Sequence, residues 1–120
     1  MELISKIRIG NSFYPIYPMG DSYSTEEQDT GLKWIDGKNI YRKASILTTP
    51  QSDNVTVGSG VDTFINAFGN IVKENEKYVI PCKTTDMFFS WYKTTNNSIV
   101  FSHNIKGSFI YQATVLYTKV

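Results

Sequence analysis

The chain is poor in the residues that most often carry chemistry. Its 120 residues include one cysteine, Cys82, and one histidine, His103. A lone cysteine closes no internal disulfide, and one imidazole with one thiol makes no zinc cluster. Charge of one sign is missing too, since twelve basic and eleven acidic residues leave a formal net charge of +1. No basic stripe with interleaved aromatics runs along the sequence, so the electrostatic footprint of a nucleic-acid binder is absent. Every apolar run is far shorter than the ~20 residues of a membrane-spanning helix. The opening Met1-Glu2-Leu3-Ile4-Ser5-Lys6 has no long apolar stretch of the secretory kind. Gly58-Ser59-Gly60 lacks the Lys and the following helix of a phosphate loop. The expectation is a soluble protein made in a reducing cytoplasm, with no cofactor, no metal, no nucleic-acid partner and no membrane insertion.

What is present favours β-structure. Aromatics reach 14% and hydrophobic residues 41%, against 19% charged, which fits a globular chain. The length suits one modest core. Period-2 alternation dominates. Ile7 and Ile9 alternate with Lys6 and Arg8, Gly10-Asn11 turns the chain, and residues 13–17 return, giving an N-terminal hairpin. Ser24 followed by Glu27 fits a helix capping box, and Gly31 ends it after a single helical turn. Asp36-Gly37 offers a tight turn into a strand over 39–47. Further strands are predicted around Val55 and Val57, over 64–73 with a bend at Gly69, and over 78–82. Residues 87–93 and 98–103 flank Thr94-Thr95-Asn96-Asn97 and form a clear hairpin. The strand over 109–119 carries Tyr111, Ala113, Val115 and Tyr117 on one face, and Ile110 and Leu116 on the other, which suits a central position. The fold class predicted is all-β: an antiparallel, jelly-roll-like β-sandwich with one short helical turn and an N-terminal hairpin. Residues 1–22 form an oligomerisation segment, and residues 23–120 form the sandwich.

Catalysis finds little support. A Cys82–His103 dyad is formally available, but Cys82 sits in the apolar run Val79-Ile80-Pro81-Cys82, where an inert thiol is the common case. Glu26 and Glu27 are adjacent and point apart, Asp36 serves its turn, and Asp53, Asp62 and Asp86 are scattered. No catalytic residue is assigned.

One stretch is specific. Tyr23-Ser24-Thr25-Glu26-Glu27-Gln28, then Gly31, Trp34, Asp36-Gly37-Lys38 and Ile40-Tyr41-Arg42-Lys43, resembles a motif of tail-fibre, baseplate and head-fibre proteins in phages and prophages of Firmicutes. The later chain, closing on Tyr117-Thr118-Lys119, is similar to the domain that follows the motif in those proteins. Asn39 stands where the family usually has Pro. In many relatives the module ends a longer fibre, so the chain fits either a short protein or a terminal domain. The resemblance implies a β-sandwich on a homotrimeric virion appendage, contacts with other virion proteins, and attachment to the host surface, often to cell-wall saccharide. A virion-borne glycan hydrolase and a purely architectural trimerising cap are the alternatives.

A saccharide site would use flat aromatic faces and a few placed polar groups. Trp91, Tyr92 and His103, with Asp86 and Asn96, are the candidates on or beside the 87–103 hairpin. Trp91 also shares a strand face with Met87 and Phe89, and that spacing favours a core role. The motif residues Tyr23, Glu27, Gly31, Trp34, Asp36, Gly37 and Tyr41 are read as architectural, since their neighbours are turn formers. The surplus of apolar residues before Tyr23, from Leu3 to Met19, calls for a partner surface.

Overall fold

The computed structural model describes residues 22–48 and 52–120 in full, together with the backbone of two strands before them. Those two, β1 (Lys6–Ile9) and β2 (Ser12–Pro15), pair antiparallel with Lys6 opposite Pro15 and Ile9 opposite Ser12. The N-terminal hairpin is therefore present over these residues. The expected extension to Tyr17 lies outside the described residues.

Nine further strands build two antiparallel sheets, as the alternation predicts. The larger sheet has the order β3 (Gln28–Lys33), β4 (Asn39–Leu47), β11 (Ile110–Lys119), β6 (Val61–Lys73), β7 (Glu76–Ile80). The smaller has the order β5 (Asn54–Gly58), β10 (Ile99–His103), β9 (Phe88–Lys93), β8 (Cys82–Lys83). The core lies between them. Tyr111, Ala113, Val115 and Tyr117 of β11 are buried against Phe89 of β9 and Ile99 and Phe101 of β10. Phe101 and Tyr111 meet across the gap with ring centroids 4.4 Å apart. Each such large side chain contributes about 1.5–3 kcal/mol on leaving water. Hence the inward row of β11 is the one the sequence pattern selects.

β11 is central because two strands read its register. Tyr111, Ala113, Val115 and Tyr117 face Leu47, Ser45, Lys43 and Tyr41 on one side. Tyr111 and Ala113 face Ile71 and Gly69 on the other. A Cβ at Gly69 would lie 2.2 Å from the Gln112 carbonyl oxygen and 2.5 Å from Ala113 Cα. The glycine thus serves a close approach of backbones inside a continuous strand.

The helical turn is a correction: no helix occurs among the described residues. Ser24 Oγ accepts the Glu26 N–H at 3.0 Å, a local turn only. Glu27 does not close a capping box, because its carboxylate is held by partners on β11. The residues that follow form the edge strand β3, whose register slips between Asp29 and Lys33 around Gly31 at φ 78°. A polar, non-alternating strand of this kind leaves no periodic trace.

Candidate functional site

Two of the motif residues, Glu27 and Tyr41, meet the end of β11 in the five-stranded sheet. Glu27 accepts the Tyr117 hydroxyl at 2.6 Å and the Lys119 ammonium at 2.8 Å. Partial burial opposes ionisation of Glu27, but these two hydrogen bonds, with the charges of Lys119 and Lys43, outweigh it and hold the carboxyl below its usual range. Burial, and then the bond to Glu27, pushes the Tyr117 hydroxyl up. Tyr41 stacks on Tyr117 at 6.4 Å, and the Lys119 ammonium lies 4.9 Å from the Tyr41 ring centre. Lys38 reaches Asp62 at 2.7 Å. Glu27 and Tyr41 are thus clasped to Tyr117 and Lys119 at the other end of the chain.

The intervening residues are turn chemistry. Trp34 N–H donates to the Lys38 carbonyl and Gly37 N–H to the Trp34 carbonyl, both at 2.9 Å. Asp36 accepts the Lys38 N–H at 3.0 Å, and Gly37 takes φ 86°. Asp29 accepts the Gly31 N–H at 2.9 Å. Tyr23 sits apart from the clasp. Its ring packs edge-on against Phe68 with centroids 6.0 Å apart, beneath the Arg42 guanidinium at 4.5 Å.

The five residues proposed for ligand contact do not converge. His103 is buried at 2% exposure. Its Nδ1 accepts the Ile105 N–H at 3.1 Å, so Nε2 carries the proton and donates to the Ser52 carbonyl at 2.7 Å. Phe89, Phe101 and Phe109 pack around the ring. Trp91 is half-buried against the core, and its indole N–H donates to Tyr111. Asp86 precedes β9, while Asn96 lies in the turn after it, bonded to Thr94. Of the five, only Tyr92 presents a substantial aromatic surface, at 46% exposure.

Alternation extends that lead. Phe89 and Trp91 face the core, so Phe88, Ser90 and Tyr92 line the outward side of β9. Across the ladders, Phe88 faces Lys83, Ser90 faces Ser102, and Tyr92 faces Val100. Beside Phe88 and Ser90 opens a cleft of about 490 Å³, completed by Pro81, Cys82, Lys83 and Phe89. Phe88 was absent from the sequence candidates. The only signal that could have found it is the strand period, once Phe89 is known to point inward.

Among the described residues no three His, Cys, Asp or Glu side chains group as metal ligands. No helix among them is long and apolar enough to cross a membrane. Compared with family models, curated proteins and solved structures, the chain matches none.

Proposed function

We propose that the chain is a non-catalytic module of a bacteriophage virion appendage, a tail-fibre, baseplate or head-fibre component that assembles as a homotrimer and attaches to host cell-wall saccharide. The phage reading rests on the motif over residues 23–43. The attachment reading rests on one observation, the outward row Phe88, Ser90 and Tyr92 beside the cleft at β8. Flat rings cover sugar C–H faces, and the hydroxyls of Ser90 and Ser102 with the Lys83 ammonium stand ready for sugar hydroxyls. Cys82 and His103 both stand opposite Phe89, on its two sides, with that ring's strand between them, and both nitrogens of His103 are engaged by Ser52 and Ile105, which favours binding over catalysis. Titration calorimetry of the full chain with cell-wall saccharide fragments from Firmicutes tests this. Tyr92→Ala and Phe88→Ala should each weaken binding about tenfold, or ~1.4 kcal/mol. Undiminished affinity in both folded variants would sink the attachment reading.

A further inference from the structure

The opposite side of the sandwich carries a different kind of surface. Alternation along β11 turns Ile110, Gln112, Thr114 and Leu116 away from the core. Register sets Ile46, Gln112 and Asn70 in one outer row and Ala44, Thr114 and Phe68 in the next, with Val79 beside Asn70. Nine large hydrophobic residues are exposed among the described residues, and five of them, Tyr23, Ile46, Phe68, Val79 and Ile110, lie on this face. A groove of about 340 Å³, bordered by Tyr23, Phe68, Ile46 and Gln112, opens on this face, and no acidic side chain lines it. An apolar concentration on one sheet face marks an interaction surface.

We propose that this face receives the N-terminal segment, residues 1–21, of a neighbouring copy of the chain. That segment is the apolar stretch without a partner in the sequence: Ile7, Ile9, Phe13, Tyr14 and Ile16 stand among only four charged residues, Glu2, Lys6, Arg8 and Asp21. Among the described residues, strands β1 and β2 pair with each other and with no other strand, and a two-stranded ribbon is marginal in water without a surface to pack on. The segment joins the sandwich at the margin of this face, since Tyr23 itself lies against Phe68. Arg42 and Gln28 hold the Ser22 carbonyl at 2.6 Å and 3.4 Å, which fixes the exit point on every copy. Within one copy Ile46, Phe68 and Val79 stay exposed at 58%, 39% and 80%, so the face is left for a second copy to cover. A segment passed from each copy to the next is a heterologous contact, which closes into a ring when the rotation between copies divides a full turn.

Cross-linking in the full chain tests the exchange. In a Cys82→Ser background, chains carrying Ile9→Cys and chains carrying Ile46→Cys are refolded together and oxidised. A disulfide-linked peptide pair joining the two different chains is expected. A chain carrying both substitutions that yields only an intrachain link in a monomer would overturn the proposal, as would absence of any 9–46 link. The second measurement is light scattering of Phe68→Asp. It should weaken the oligomer at least tenfold, while Ile35→Asp, in the β3–β4 turn at 92% exposure, should not. An oligomer indifferent to Phe68→Asp overturns the proposal. No saccharide enters either experiment, so the result stands apart from the attachment reading.

Discussion

The indole N–H of Trp91 donates to the hydroxyl of Tyr111 at 2.9 Å, joining β9 of one sheet to β11 of the other. Trp91, a candidate for ligand contact in the sequence, thus spends its polar group on a tie inside the sandwich, as its strand spacing favours. Tyr111→Phe keeps the ring and removes the acceptor, which should cost about 1–2 kcal/mol in chemical denaturation. Burial also pushes the Tyr111 hydroxyl up to about 12 from an ordinary value of 10.0. A raised folded value keeps its contribution whole below pH 10 and loses it as pH climbs towards 12. The variant should therefore lose less stability over that interval than the parent chain. Equal alkaline losses would contradict the assignment.

Glu27 makes the opposite prediction. Its carboxyl is held low in the folded chain, so its contribution is present above its ordinary value of 4.5 and fades as pH falls through the lower folded value. Glu27→Gln should cost about 0.5–1 kcal/mol at neutral pH, a figure kept small because Lys119 is substantially exposed. Melting curves of the two proteins should converge on acidification below 4.5. A constant gap down the pH series would show that the clasp does not depend on the charge.

Gly69→Ala should be among the most damaging small substitutions. The added methyl meets the backbone of Gln112 and Ala113, which has no flexible end to yield. Overpacking of this kind costs about 1–3 kcal/mol, and the centre of the sheet is the least forgiving place for it. Denaturant midpoints decide the matter; a change within error would mean that β6 and β11 separate easily at that point.

His103→Leu should destabilise the chain by about 2–4 kcal/mol, because the Ser52 carbonyl and the Ile105 N–H lose their partner together. Nitrogen NMR of the parent should find the proton on Nε2. A proton on Nδ1 would refute the hydrogen-bonding scheme.

Much of this was legible in the sequence, and the reasons are local. Asp36-Gly37 placed the first turn of the large sheet, and Asn39–Leu47 became β4 with the bounds its pattern suggested. The row Tyr111, Ala113, Val115, Tyr117 named the inner face of β11 in advance. What escaped depends on distant partners. Glu27 looked like a cap because its neighbours fit one, yet its bonds go to Tyr117 and Lys119, ninety and ninety-two residues on. His103 looked available because Ser52, fifty-one residues earlier, is invisible from its own strand. The outward side of β11 did show Ile110 and Leu116, but periodicity does not say whether a second apolar face is covered.

The place of β11 between β4 and β6 also governs the order of events on the ribosome. Both neighbours are synthesised before it, and they hydrogen-bond to it and not to each other. The large sheet therefore has no centre until β11 emerges, and its two halves must wait with the N–H and C=O groups of their inner edges unpaired. Closure over such long sequence separations is slow compared with local hairpins. The β9–β10 hairpin, by contrast, can form as soon as its turn is made. Until β11 arrives, β4 and β6 present the nascent chain's open edges to chaperones and to other copies.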